Sequence, residues 1–290
     1  MMNLAVGSAP RLVSGLSEIA PLYDGILCDV WGVVHNGLAA HAKAGEALTR
    51  FRAARGPVVL LSNAPRPGAF VGRMLDRLGV PRDAYDDILT SGDMARRLLA
   101  ERPGLRVFHL GPERDLGIFK ELDLAFVGPD DAELVVCTGL LDDETETAQD
   151  YAPLLERLRA RGLTLICANP DLVVERGERL VYCAGAIADL YARMGGDVVH
   201  TGKPYRPVYE AAAARVAGIA GGSRRLLGIG DAIRTDIRGA AGFGIDSMFI
   251  ADGIHAAELL PGGRLDLARL RALLAAEGLP AAWVQPQLTW

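Results

Sequence analysis

The stretch GILCDV, residues 25–30, is a short apolar run that ends in a carboxylate, and the Gly/Asn-containing WGVVHNG of residues 31–37 follows it at once. A run this short, bounded by turn formers, reads as a strand buried on both faces, with Asp29 at its carboxyl end. The segment 43–55 places Ala44, Ala47, Leu48, Phe51 and Ala54 at i, i+3, i+4, i+7 and i+10, which predicts an amphipathic helix. PVVLLS (57–62) is then a second strand, closed by the breaker-rich NAPRPG of 63–68, and a helix over about 67–78 is stopped by Gly79 and Pro81. Strand–helix–strand units of this length join parallel strands through right-handed crossovers.

Further along, the rhythm changes near Pro103-Gly104. RVFHLG (106–111), LAFVG (124–128) and ELVVC (133–137) are short strands with little helix between them. The acidic loop LDDETET (141–147) precedes a helix at 148–161, the strand LTLIC (163–167) and a helix around 184–194, before Gly195-Gly196 marks another break. DVVHTGKP (197–204) returns to a strand followed by a loop, and RRLLGIGD (224–231) and GIDSMFIADG (244–253) are two more strands. The expected fold is therefore α/β: a Rossmann-like, doubly wound parallel sheet formed by residues 1–102 and 197–290, with an α/β domain inserted at 103–196. The tail AAWVQPQLTW (281–290) carries two of the three tryptophans and packs on the core or on an oligomer contact.

Composition sets the outer limits. The 290 residues are 50% apolar and 23% charged, with a net charge of −5, and no basic stripe marks a nucleic-acid or anionic-membrane surface. No stretch approaches the roughly 18–20 consecutive apolar residues of a membrane span, and the N-terminal residues have no continuous apolar segment of the secretory type. Cys28, Cys137, Cys167 and Cys183 lack any Cys-x-x-Cys spacing and read as reduced, buried small hydrophobes. The expectation is a cytoplasmic protein whose partner is a small molecule; strands such as LAFVG leave a homodimer open.

In open α/β sheets ligands bind beyond the carboxyl ends of the strands, and four strand ends carry suggestive groups. They are Asp29, Ser62-Asn63, Lys203 within TGKP, and Asp231 with Asp236 in GDAIRTD (230–236). Each alone is commonly a turn former, a helix cap or a solvated side chain. Together they supply what a Mg²⁺–phosphate site needs. Hard carboxylate oxygens hold the metal, an ammonium and a hydroxyl meet phosphoryl oxygens, and a carboxylate can attack phosphorus.

This ordered set resembles the haloacid dehalogenase superfamily, and within it the class IIA members with a large cap inserted between the second and third motifs. The resemblance implies that Asp29 is the nucleophile, Ser62 the second-motif hydroxyl and Lys203 the third-motif lysine. It implies Mg²⁺ held by the side chains of Asp29 and Asp231 and by the backbone carbonyl of Trp31, with Asp236 holding water or Lys203. LICANPD (165–171) is similar to the TNPD-containing cap loop of sugar-phosphate and nitrophenyl-phosphate phosphatases, which implies that Asn169 and Asp171, together with Asn63, face the substrate. The implied activity is Mg²⁺-dependent hydrolysis of a small phosphorylated metabolite through an aspartyl-phosphate on Asp29.

One position departs from the pattern. Phosphatases of this superfamily carry a second Asp two residues after the nucleophile, as acid and base; here the residue is Trp31. Its carbonyl can still reach a metal, but an indole cannot shuttle protons. His35, four residues on, is the candidate replacement, and Asp171 or the substrate itself are the others. Trp31 also keeps two further readings open: a phosphometabolite-binding or sensing protein with little turnover, and a dehalogenase-like or phosphonatase-like reaction at Asp29.

Overall fold

The computed structural model describes residues 9–176, 179–222, 224–280 and 283–290. In chain order the first strands are β1 (Arg11–Leu12), β2 (Gly25–Cys28), β3 (Val58–Ser62) and β4 (Asp87–Thr90). Next come β5 (Leu105–Leu110), β6 (Leu124–Phe126), β7 (Leu134–Cys137), β8 (Leu165–Cys167), β9 (Val173–Arg176), β10 (Arg179–Tyr182) and β11 (Val198–His200). The last three are β12 (Leu226–Gly230), β13 (Asp246–Ile250) and β14 (Trp283–Gln285). The fold is α/β and Rossmann-like, with mostly parallel sheets flanked by helices. Contacts divide the chain into two compact units, one of residues 1–61, 72–88 and 204–290, the other of residues 62–71 and 89–203.

A seven-stranded sheet runs in the order β1-β14-β13-β12-β2-β3-β4. β2, β3 and β12 are buried along their whole length, which is why their sequences are continuous apolar runs rather than alternating ones. The helix Ala42–Ala54 covers the sheet with Ala44, Ala47, Leu48 and Phe51, each at most 1% exposed. Gly25 admits the helix Arg206–Ala220 closely, since a Cβ there would lie 2.9 Å from Val216 Cγ1 and from Leu226 Cδ2. That helix ends at Gly221, whose φ of +73° closes the C-terminus in the left-handed region. From β2 the chain passes to β3 on one side, whereas β12 lies on the other. The sheet therefore reverses its winding between β2 and β12, and a crevice opens beyond their carboxyl ends at such a point.

In the second unit the five-stranded sheet β11-β8-β7-β5-β6 is parallel throughout its recorded registers. Its period of two is visible in β7: Val135 and Cys137 join the cluster with Leu155, Leu165 and Tyr191, while Leu134 and Val136 face the cluster with Leu99, Val107 and Phe119. An antiparallel ribbon, β9–β10, completes the unit's strands among the described residues.

Most expected elements are present with shifted ends. The strand at 25–30 stops at Cys28, and the strand at 244–253 stops at Ile250, so the residues after each are loop. The helix at 148–161 begins as a 3₁₀ turn, Ala148–Tyr151, and becomes α-helical at Ala152–Ala160 because Pro153 occupies its first turn. The tail packs on its own unit: β14 pairs with β1 and β13, and Trp283 Nε1 donates to Tyr23 Oη at 2.7 Å. The four cysteines are free and buried. No helix of the described residues is long and apolar enough to cross a membrane.

Candidate active site

Asp29 is the first residue after β2, and its N–H prolongs the ladder to Ile229 O at 2.8 Å. Asp231 is the first residue after the neighbouring strand β12. Asp236 lies one turn further, on a short π-helical segment, Ile233–Ile237, where its Oδ2 accepts from Ala232 N at 3.1 Å. The three carboxylates are 8%, 5% and 6% exposed, and one oxygen of each lies within 4.8 Å of the others. Three like charges held this close and this dry repel strongly and are costly to desolvate. A hard divalent cation removes that cost, and an all-oxygen donor set of few carboxylates, completed by water, suits Mg²⁺. The residues present therefore fit the metal.

The backbone is shaped around these carboxylates. A Cβ on Gly32, where φ is +81°, would lie 2.1 Å from Asp231 Oδ2, and a Cβ on Gly253 would lie equally close at 2.1 Å. A Cβ on Gly230 would come 2.1 Å from Asp236 Cγ. Asp231 Oδ2 also accepts from Ile254 N at 2.8 Å. Sequence reading missed this cradle; its one signal was the Ala-Asp-Gly at 251–253, which follows β13 at the same edge of the sheet.

Trp31 is half-buried and turned into the loop that follows it. Its indole meets the His35 ring at 4.9 Å between centroids and an interplanar angle of 68°, and a Cβ on Gly37 would lie 2.7 Å from Trp31 Cζ2. His35 is fully buried, and its Nδ1 accepts from Gly37 N at 2.8 Å, which places the proton on Nε2. That Nε2 is buried without a partner among the described residues. Burial, assisted by the charge of His41, lowers the His35 pKa to about 4, from an ordinary value of 6.5. His35 is thus neutral near pH 7, and it is a poor candidate for the replacement acid because the N–H of a neutral imidazole is a far weaker acid than that of imidazolium.

The same depression predicts a pH effect on stability. Between pH 6.5 and about 4 the unfolded chain binds a proton at this position that the folded one refuses. The contribution is full above pH 6.5 and is lost as pH falls toward 4, by about 3 kcal/mol at most. His35→Asn, whose Oδ1 can still accept from Gly37 N, should flatten that part of the unfolding free energy against pH. Parallel curves for the two proteins would show that His35 does not titrate this way.

The remaining expected residues lie in the second unit. Ser62 ends β3, is 7% exposed, and its Oγ accepts from Ala64 N at 3.2 Å. Asn63, Asp171 and Lys203 are brought together: the Asn63 side chain bonds to the backbone of Lys203 and to the Asp171 carboxylate. Asn169 is 9% exposed and its Oδ1 accepts from Asp171 N at 3.2 Å, an Asx turn that shapes the loop after β8. The Cys167 Sγ supports the same loop by donating to Asn169 O at 3.3 Å.

Comparisons with known proteins agree with this fold. Residues 26–125 match the family model for haloacid dehalogenase-like hydrolases, and residues 200–269 match a second, HAD-hydrolase-like model. The chain is 49% identical to a hydrolase of the haloacid dehalogenase-like family from Brucella suis 1330, whose crystal structure superposes with a TM-score of 0.84 over 95% of this chain and 99% of that one. It is 30% identical over 250 residues to the D-glycerol 3-phosphate phosphatase of Mycobacterium tuberculosis, covering 83% of this chain and 67% of that protein. A crystal structure of glycerol phosphate phosphatase from Mycobacterium tuberculosis in complex with magnesium has a TM-score of 0.63 and 28% identity, over 87% of this chain and 77% of that one. The chain is a hydrolase. It belongs to the haloacid dehalogenase-like hydrolase family.

Proposed function

We propose that the protein is a Mg²⁺-dependent phosphatase of a small phosphorylated metabolite, and that Asp29 carries the phosphoryl group between two half-reactions. The observation that carries this reading is the convergence of Asp29, Asp231 and Asp236 within 4.8 Å at the carboxyl ends of β2 and β12. The phosphatase relatives from Mycobacterium tuberculosis, one of them in complex with magnesium, support the substrate class and the metal.

In this reading Asp29, Asp231 and the Trp31 carbonyl would hold Mg²⁺, and Asp236 would hold water or Lys203. The bound cation would neutralise charge on the phosphoryl oxygens. A carboxylate oxygen of Asp29 attacks phosphorus, the bond to the leaving oxygen breaks, and an aspartyl-phosphate remains. Ser62 and the Lys203 ammonium stabilise the phosphoryl oxygens as charge develops. Water then attacks phosphorus, inorganic phosphate departs, and the Asp29 carboxylate is regenerated. The insert at 103–196 serves as the cap, with Asn169 and Asp171 on its substrate-facing loop. Because neither Trp31 nor neutral His35 can protonate a departing alkoxide, substrates with good leaving groups turn over fastest.

The test is hydrolysis of nitrophenyl phosphate, whose leaving group needs little protonation. Turnover should depend on added Mg²⁺ and disappear with excess chelator, returning when Mg²⁺ is restored. Absence of any Mg²⁺-dependent turnover, with retained binding of inorganic phosphate, would favour the binding or sensing reading that Trp31 keeps open.

A further inference from the structure

Asn63 follows β3 and is 3% exposed, yet its neighbours in space are distant in sequence. Its Oδ1 accepts from the Lys203 backbone N–H at 2.7 Å, and its Nδ2 donates to the Lys203 carbonyl at 3.2 Å. Nδ2 also donates to Asp171 Oδ1 at 2.8 Å. Accepting from the N–H and donating to the C=O of one residue fixes the orientation of the amide, because a flip would set donor against donor and acceptor against acceptor.

The surroundings leave this amide no slack. A Cβ on Gly202 would lie 2.3 Å from Asn63 Oδ1 and 2.9 Å from Pro170 Cδ, so the loop before Lys203 is pressed onto both. Thr201 anchors the other side, its Oγ1 donating to Cys167 O at 3.0 Å and lying 2.8 Å from Ser91 Oγ. Both N–H donors of Asn63 are engaged, and neither is left over for a ligand oxygen.

We propose that Asn63 is a positioning residue rather than a substrate contact: it fixes Lys203 through the backbone and ties the Asp171 loop to it. Its catalytic consequence rests on the phosphatase reading above. A lysine aimed from a clamped backbone reaches the same place each turnover, and a displacement of about 1 Å can cost on the order of 10²-fold in rate.

The experiment has two arms. In the first, nitrophenyl phosphate kinetics with Mg²⁺ compare wild type, Asn63→Ala, Lys203→Ala and the double variant. Asn63→Ala should lower kcat by about 10–100-fold with KM little changed, and should cost almost nothing further on the Lys203→Ala background. Losses that multiply, or a raised KM at unchanged kcat, would overturn the proposal in favour of direct substrate contact. If Asn63→Ala does not fold, the pair Asn63→Asp and Asn63→Asp with Asp171→Asn replaces it. Asn63→Asp alone sets two carboxylates together, and adding Asp171→Asn should recover part of the lost thermal stability; no recovery would break the link to Asp171. In the second arm, amide exchange of the peptide spanning 200–205 needs no turnover. Faster exchange at Lys203 in the variant supports the clamp, and unchanged exchange removes it. A wild type without turnover but with the exchange effect would sink the phosphatase reading alone.

Discussion

Asp29→Asn is expected to lower kcat for nitrophenyl phosphate by on the order of 10⁴-fold or more, the scale on which removing a covalent nucleophile acts. In the proposed mechanism the amide, which matches the carboxylate in shape, cannot attack phosphorus, so binding geometry is kept while the first half-reaction stops. The fold should survive. Asp29 is one of three buried carboxylates crowded within 4.8 Å, and removing one charge relieves repulsion in the metal-free protein. Thermal unfolding without divalent cation should therefore show a melting temperature no lower than wild type, whereas the stabilisation gained on adding Mg²⁺ should shrink, since one ligand is weaker. Comparable turnover in the two proteins would assign the chemistry to another nucleophile.

Trp31→Asp is expected to act in the opposite direction. It installs a carboxyl group two residues beyond Asp29, able to protonate a leaving oxygen and then to activate water. General acid–base catalysis typically contributes about 10²–10⁴-fold, and that is the gain expected for alkyl phosphates, whose alkoxide leaves poorly. For nitrophenyl phosphate the gain should be much smaller, because its phenolate leaves without help. The substitution removes the edge-on contact with His35 and the packing against Gly37, at a cost of about 1–3 kcal/mol. Activity and stability are thus expected to move apart. No gain on either ester class would mean that a proton donor such as Asp171 already serves wild type, and an equal gain on both would place the effect outside leaving-group protonation.

Four strands were read most directly from the sequence because their burial is complete. β2, β3, β7 and β12 are buried at every residue, so each left an apolar run that could mean little else. The ribbon β9–β10 was not legible for the converse reason. Leu180 and Tyr182 are 63% and 44% exposed on either side of the buried Val181, so the apolar run of β10 does not follow burial. At the site, Asp29, Asp231 and Asp236 could be found because a parallel sheet gathers its strand ends, and the rule needs only the position of each residue after its strand. The Asn63 amide could not be interpreted that way. Its partners lie 108 and 140 residues further along the chain, and nothing local to Asn63 distinguishes a clamp from a helix cap. His35 illustrates a third limit: its position in the sequence suggested an acid, and only its burial showed a neutral ring.

Gly32, Gly230 and Gly253 bring no functional group to the chemistry, yet each occupies a place where a single methyl would strike a carboxylate. In a library covering every codon of the gene, these three positions should tolerate substitution as poorly as the aspartates they surround, alanine included. The signature would differ from that of a lost ligand: cells supplied with more magnesium should regain part of the activity of a glycine variant, because its carboxylates are displaced rather than deleted.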